Sequence, residues 1–122
     1  MKITYKSYKG KILKEGAEIG IKNRLYVNCF ASLSHLYYDA LGMDCCKPNV
    51  KLIIIAFADN KPVGGLAVDG NRVEIFTRKA YRHKGIGRGM YNTAMTCLGR
   101  KINFAVCKWP RNQGFWDKVQ KK

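Results

Sequence analysis

Short apolar stretches separated by turn residues occupy the middle of the chain and predict three consecutive β-strands. The stretches are Leu52–Ala58, Val63–Val68 and Arg72–Thr77. Residues 59–62 supply turn residues between the first two strands, and Asp69–Gly70 supplies a tight turn before the third. Because both connections are too short for a crossover helix, the three strands are predicted to form an antiparallel meander.

The first thirty residues carry a weaker pattern. Apolar and polar residues alternate from Lys2 to Tyr8, which predicts a strand, and Lys9–Gly10 predicts a turn. Lys11–Leu13 follows with further strand-forming residues, so the segment is interpreted as a strand or a short hairpin. Residues 14–30 are ambiguous between helix and strand.

Apolar residues recur at helical spacing in two segments. The first begins at Ser32 and ends at Gly42, and the second covers residues 88–98 and ends at Gly99. The apolar positions are Leu33, Leu36, Tyr37, Ala40 and Leu41 in the first segment, and Met90, Tyr91, Ala94, Met95 and Leu98 in the second. Both spacings are typical of a helix with one buried face.

The last twenty residues predict one further strand and one further helix. Ile102–Cys107 alternates as a strand does, and Asn112 is a suitable N-cap for a short helix that contains Phe115 and Trp116. Strands and helices are therefore predicted to combine in an α+β fold.

Composition places the chain among ordinary water-soluble proteins. It has 122 residues and a mass of 13.9 kDa, with 47% hydrophobic and 25% charged residues, and we predict a single domain over residues 1–122. The apolar run Leu52–Ala58 is far shorter than the roughly 20 residues that span a bilayer, and Met1–Thr4 opens no signal peptide. These features predict a cytoplasmic protein without a membrane span.

The charge is strongly positive and unevenly placed. The formal net charge is +15, and no acidic residue stands between Glu74 and Asp117, where nine Lys and Arg residues fall. Such a field attracts polyanions, so nucleic acid, a phosphorylated cofactor or an acidic partner is eligible. A basic surface that serves solubility alone is an equal alternative at this point.

The cysteines and histidines indicate neither a disulfide framework nor a metal site. Five cysteines are an odd number without a secretory context, so we interpret them as reduced. Cys45 and Cys46 are adjacent, and neither His35 nor His83 has a second ligand at metal-binding spacing. Cys97 and Cys107 are interpreted as small buried hydrophobes.

One loop carries most of the chemical information. Gly85 and Gly87 stand where a strand and loop lead into a helix, so backbone N–H groups there can approach an anion closely. Arg82, Lys84 and Arg88 add fixed positive charge, a combination suited to a pyrophosphate. The segment matches neither the Walker phosphate loop nor the dinucleotide-binding fingerprint.

Residues 82–87, Arg-His-Lys-Gly-Ile-Gly, meet in full the Arg/Gln-x-x-Gly-x-Gly/Ala signature of the GNAT superfamily of acyl-CoA-dependent N-acyltransferases. The order of predicted elements over residues 50–119 is similar to that family as well. The resemblance implies a mixed, mostly antiparallel central sheet flanked by helices. Because the chain stops at Lys122, the final pair of strands common in the family is expected to be absent, leaving a fold that is short at its C-terminal end.

The resemblance also implies an activity, the transfer of an acetyl group from acetyl-CoA to a primary amine of a protein or small molecule, without a metal. It implies that backbone groups near Phe76 and Thr77 pair with the pantetheine arm of CoA as an added strand does. The residues that the resemblance assigns to CoA binding are Phe76, Thr77, Arg82, His83, Lys84, Gly85, Ile86, Gly87, Arg88, Asn112 and Trp116.

Catalytic residues are less completely defined. By resemblance Glu74 is the general base, directly or through water, although its alternation with Val73 and Ile75 is equally consistent with a solvated side chain. Many family members carry a Tyr as the general acid near the start of the last helix, where this chain has Phe115–Trp116, so the acid is unassigned.

Two other functions compete with the enzyme. The missing Tyr and short C-terminus are compatible with a GNAT-fold module that has lost catalysis and serves as an interaction or structural subunit, for example in a virus particle. A second copy or a partner chain that completes the C-terminal sheet edge would instead preserve activity. Nucleic-acid binding ranks last, because aromatic residues are not interleaved with the basic run.

Overall fold

The computed structural model describes residues 1–27, 30, 50–69, 72–99 and 105–106. Five strands and two helices lie within these ranges. The strands are β1 (Ile3–Lys9), β2 (Val50–Ala58), β3 (Lys61–Asp69), β4 (Arg72–Thr77) and β5 (Ala105–Val106), and the helices are α1 (Leu13–Lys22) and α2 (Ile86–Leu98). Short 3₁₀ turns precede α1 at Gly10–Ile12 and follow β4 at Lys79–Tyr81.

The strands form one sheet in the order β1-β2-β3-β4-β5. Strands β1 to β4 pair antiparallel, and β5 pairs with β4 in parallel. The predicted meander is confirmed, as is the α+β class with a mixed, mostly antiparallel sheet. Of the predicted strand Ile102–Cys107, only Ala105–Val106 lies within the described residues.

The hairpin between β2 and β3 is tighter than the sequence predicts. Only Asp59 and Asn60 form the loop, both with left-handed backbone (φ 48° and 68°), as in a two-residue turn that matches the twist of the strands. Pro62, predicted to lie in the turn, belongs to β3 and pairs with Phe57 beside a register shift. That irregularity accommodates a residue that has no N–H to donate.

Hydrophobic residues cover both faces of the sheet. On one face Leu52, Ile54 and Leu66 pack against α2, through Ile86, Met90, Tyr91 and Ala94. On the other face Ile53 and Ile55 pack against Ala17 of α1 and against Leu25, Val27 and Phe30. β2 is therefore buried on both faces, which explains why its sequence is an apolar run rather than an alternation.

The strand predicted for Lys11–Leu13 is wrong, and residues 14–22, for which the sequence does not decide between helix and strand, are helical. Lys11–Leu13 forms no second strand; Gly10, with φ 60°, turns the chain into α1, which begins at Leu13. The contact face of α1 contains Gly16, Ala17 and Gly20, all buried. The glycines make contact through their backbone, and the apolar side chains beside them, Leu13 and Ile19, are only half-buried.

The second predicted helix is confirmed, with its start two residues earlier than predicted. α2 begins at Ile86 and ends at Gly99, whose left-handed φ of 67° closes it. Cys97 on this helix is a half-buried free thiol, and its Sγ lies 2.9 Å from the Ser7 hydroxyl on β1. Tyr91 is buried, as its place on the apolar face predicts, and burial raises the pKa of its phenol.

Two other predicted segments lie outside the described residues: the helix over residues 32–41 and the short helix that begins at Asn112. Within the described ranges, neither helix is long and apolar enough to cross a bilayer.

Candidate functional site

One edge of β4 faces β5, of which the structure describes two residues. These pair with Arg72 and Val73, and no described strand pairs with the same edge at Ile75. Arg78 N–H donates to the Val63 carbonyl 2.8 Å away, so by the alternation of an antiparallel ladder Phe76 also turns its backbone groups toward β3. The N–H and C=O groups of Ile75 and Thr77 consequently face the other edge.

The loop that follows β4 depends on left-handed backbone at two positions. His83 has φ 64° and Gly85 has φ 77°, after which the chain enters α2. Glycine adopts this conformation without steric cost, which accounts for its presence at position 85. A Cβ added to Gly85 would meet no atom within 4 Å, so the space beside the loop is open.

The N-terminus of α2 presents donors that nothing in the described chain caps. Gly85 is the N-cap and has no side chain to accept a hydrogen bond, and the first bond along the helix runs from Gly89 N–H to the Gly85 carbonyl, at 3.0 Å. The N–H groups of Ile86, Gly87 and Arg88 therefore have no acceptor within the helix. Together with the positive end of the helix dipole, they favour an anion.

Arg82 connects the loop to the end of β4. Its Nε donates to the Thr77 carbonyl at 2.8 Å, and its guanidinium carbon lies 5.6 Å from the centre of the Phe76 ring. Arg82, His83 and Lys84 are exposed and Arg88 is half-buried. The predicted cationic loop is thus present beside the helix end. Arg82 also holds the loop to the end of β4 through its hydrogen bond to Thr77.

A groove of about 410 Å³ lies where the end of β4 meets the segment after α1. Its lining residues are Lys22, Asn23, Arg24, Tyr26, Phe76, Arg78 and Lys79. The Tyr26 and Phe76 rings meet edge to face with centres 5.5 Å apart, and Arg78 Nη2 donates to the Asn23 carbonyl at 2.8 Å. Sequence reasoning predicted only Phe76 of this set, and for a different contact.

The left-handed backbone at Arg24 and Tyr26 (φ 53° and 51°) explains why the sequence does not predict the groove. Neither residue type is an ordinary signal for that conformation, so the pattern over residues 14–30 is uninformative. A cluster of cationic residues over 22–24 is the one signal that points to it.

Glu74 shares a face of β4 with Phe76. Side chains alternate along a strand, and Val73 and Ile75 pack in the α2-side core, so Glu74 lies on the α1 side. It is half-buried and two residues before Phe76, about 7 Å along the strand. The predicted base therefore lies on the same face as the groove.

Asn112 and Trp116, which the sequence assigns to CoA binding, lie outside the described residues, as does Phe115. Within those ranges there is no group of three or more His, Cys, Asp or Glu side chains that could hold a metal ion.

Comparison with known proteins gives a result only at the level of structure. No family profile and no curated protein matches the sequence. A GNAT-family acetyltransferase from Streptococcus pneumoniae superposes with a TM-score of 0.59 at 16% identity, over 98% of this chain and 86% of that one. The Bacillus subtilis N-acetyltransferase YlbP, solved in complex with coenzyme A, gives a TM-score of 0.56 at 16% identity, over 96% and 84%.

The chain has the GNAT fold. A third structure with this fold, an aminoglycoside acetyltransferase from an uncultured soil metagenomic sample in complex with sisomicin, gives a TM-score of 0.57 at 11% identity, over 98% of this chain and 86% of that one. The signature at residues 82–87 thus lies in a GNAT fold, between the last strand of the meander, β4, and the helix α2. The sequence predicts the same order.

Proposed function

We propose that the protein is an acetyl-CoA-dependent N-acetyltransferase. The observation that carries the proposal is the proximity in sequence and structure of two features: the edge of β4 at Ile75, along which no described strand pairs, and a helix N-terminus beginning at Gly85 that no described residue caps. The first suits an extended amide-containing arm and the second suits a pyrophosphate, and CoA contains both.

The described residues fit this donor. The backbone groups of Ile75 and the N–H of Thr77 face the edge of β4 along which no described strand pairs, and the amides of pantetheine would pair there. The N–H groups of Ile86, Gly87 and Arg88 would hold the pyrophosphate, and Lys84 and Arg88 would add charge-assisted contacts. The open space beside Gly85 leaves room for the phosphate oxygens. Phe76 contributes its ring to the groove rather than its backbone to the arm. Asn112 and Trp116 remain predictions.

When bound, acetyl-CoA supplies a thioester whose carbonyl carbon forms a bond to the acceptor nitrogen as the carbon–sulfur bond breaks. The amine must lose a proton and the departing thiolate must gain one. We assign the first proton to Glu74, directly or through water, because its carboxylate lies on the face of β4 that carries the groove. The neighbours Val73 and Ile75 pack in the core, so they fix the position of β4 and therefore of the Glu74 backbone.

The alternative of a structural module without catalysis is not favoured. Among the described residues, a helix end without a side-chain cap, a left-handed glycine before it and the strand edge at Ile75 lie in one place, which supports CoA binding. The acceptor of the metagenomic neighbour is not carried over to this chain, because an aminoglycoside is polycationic and the groove here has four cationic residues among its lining.

Titration with acetyl-CoA tests the proposal. A ligand that binds only the native state at a hundred times its Kd stabilises the protein by about 2.7 kcal/mol, so the melting temperature is expected to rise with acetyl-CoA concentration. Release of free thiol in the presence of a panel of primary amines then measures transfer. Absence of any thermal shift at millimolar acetyl-CoA would refute the proposal.

Replacing Glu74 by Gln is expected to lower turnover by about 10²- to 10⁴-fold, since the amide cannot accept the amine proton. The thermal shift with acetyl-CoA should persist, because Glu74 makes no proposed contact with the donor. Glu18→Gln, an exposed change on α1, is the matched control and should leave turnover unaltered. Unchanged turnover in Glu74→Gln removes this residue from the role of base.

A further inference from the structure

The groove beside β4 has a consistent chemical character. Of the seven described residues that line it, four are cationic and two are aromatic, and none of these seven is acidic. The cations are Lys22, Arg24, Arg78 and Lys79. They come from two segments distant in sequence, the end of α1 with the residues after it and the end of β4, so the fold rather than a local charge run brings them together.

Arg78 is the most restrained of the four. It is half-buried; Nη2 donates to the Asn23 carbonyl, and Nε is buried without an acceptor among the described residues. A neutral carbonyl does not balance the charge of a guanidinium, and buried donors without partners are rare in folded proteins. An anion in the groove would give Nε an acceptor and the guanidinium a counter-charge.

The aromatic pair and the hydrogen bond to Asn23 keep the two sides of the groove in position. Tyr26 and Phe76 meet across it, one from each segment, and Arg78 links the same two segments. Arg24, Lys22 and Lys79 are exposed, so their charged ends can approach a ligand without breaking a contact in the described structure. A site held open in this way requires little reorganisation when it binds.

We propose that this groove binds an anionic group, phosphate or carboxylate, carried by a small acceptor amine. The assignment rests on the proposed acetyltransferase function and adds the substrate class. The position of the groove fits an acceptor site, because the groove includes Phe76 and lies on the same face of β4 as Glu74. CoA is proposed to bind along the edge of β4 that faces β5. Neutral amines and polyamines lack the group that four cations select.

Kinetics with matched acceptors tests the substrate class. The panel consists of ω-aminoalkyl phosphates and ω-amino acids of two to six carbons, with amino alcohols and diamines of the same lengths. We expect kcat/KM to be about tenfold to a hundredfold higher for the phosphates and amino acids than for the alcohols, the range that charged hydrogen bonds confer. Equal rates for the alcohols, or preference for the diamines, overturns the assignment.

The double variant Arg24→Gln with Lys79→Gln tests the groove itself. Both side chains are exposed, so the fold should survive, and the ratio of kcat/KM for anionic acceptors to kcat/KM for amino alcohols should fall at least tenfold. Lys9→Gln with Lys51→Gln removes the same charge at the opposite end of the sheet and should leave the preference intact. An equal loss in both variants would mean that only net charge matters and would refute the site. Arg78→Gln should lower the preference for anionic acceptors more than Arg78→Lys, which keeps the charge of this half-buried residue. If Arg78→Gln keeps the preference of the parent, the anion does not bind in this groove.

Calorimetry without CoA separates this inference from the proposed function. 4-Aminobutyl phosphate should bind the parent chain alone and bind the Arg24→Gln/Lys79→Gln variant at least tenfold more weakly, even if no acetyl transfer occurs. No binding to the parent chain refutes the groove while leaving acetyl-CoA binding to be judged by its own titration.

A final comparison uses coenzyme A and 3′-dephospho-coenzyme A. If the double variant loses affinity for the first and not for the second, the groove holds a phosphate of the donor and the acceptor assignment is wrong.

Discussion

Replacing Gly87 by Glu is expected to abolish the rise in melting temperature that acetyl-CoA produces in the parent protein. Gly87 is the second residue of α2, and its N–H is one of three without an acceptor in the helix. A carboxylate there places a like charge and additional volume beside the proposed pyrophosphate site. The full protection of about 2.7 kcal/mol at a hundredfold excess over the Kd should therefore disappear.

The same substitution should not unfold the free protein. Gly87 is not among the residues with positive φ, and an acidic side chain in the first turn of a helix is favourable by about 0.3 to 1 kcal/mol. The ligand-free melting temperature of Gly87→Glu should consequently equal or exceed that of the parent. Opposite signs for stability and binding distinguish a blocked site from a damaged fold.

Asn92→Glu is the matched control for this experiment. It adds the same charge at an exposed position five residues further along α2, about 7.5 Å down the helix axis. Its thermal shift with acetyl-CoA should match the parent. If Gly87→Glu keeps the shift, the pyrophosphate binds elsewhere. If both variants bind RNA or DNA with a steep salt dependence and neither responds to acetyl-CoA, the basic surface serves nucleic acid instead.

Replacing Gly20 by Ala is expected to destabilise the protein by about 1 to 3 kcal/mol, the usual cost of forcing extra atoms into a packed core. An added Cβ would coincide with the Phe30 ring, which is buried. The ring cannot move away freely, because its Cε2 and Cζ lie 2.9 Å from where a Cβ on Gly65 would stand. Phe30 is thus enclosed between α1 and β3.

The sign of this effect is decisive. At an ordinary exposed helix position, Gly→Ala stabilises by about 1 kcal/mol. Urea unfolding at 25 °C measures the difference, with Glu18→Ala on the exposed side of α1 as the control that should be near neutral or stabilising. Adding Phe30→Leu to Gly20→Ala should recover part of the loss, since it removes ring atoms from the contact. A stabilised Gly20→Ala variant would show that α1 does not pack on Phe30.

The elements that the sequence predicts well are those whose contacts are made by side chains. β2, β3 and β4 are apolar stretches between turn residues, and α2 shows an apolar face of Met90, Tyr91 and Ala94 with a glycine at its end. α1 could not be predicted in this way, because Gly16 and Gly20 contact Tyr8 and Phe30 through the backbone. Because no side chain of these two glycines stands between the helix and the rings, α1 lies close to both rings.

The candidate site likewise has one part that the sequence predicts and one part that it does not. The glycines and cations of residues 82–88 predict an anion site because their chemistry is local, and the structure places them at an uncapped helix end. The groove joins residues 22–26 to residues 76–79, a pairing that depends on the fold. It also requires left-handed backbone at Arg24 and Tyr26, which no side-chain pattern signals. Only the structure could bring these two segments together.

The contact between Arg82 Nε and the Thr77 carbonyl bears on the signature itself. The first position of that six-residue signature admits either Arg or Gln, two side chains that differ in charge but share a long stem with an N–H near its end. Both can therefore cap the last carbonyl of the strand and set the angle at which the chain leaves it. This position therefore requires a side chain long enough to reach the Thr77 carbonyl and able to donate a hydrogen bond to it, whether or not the side chain is charged.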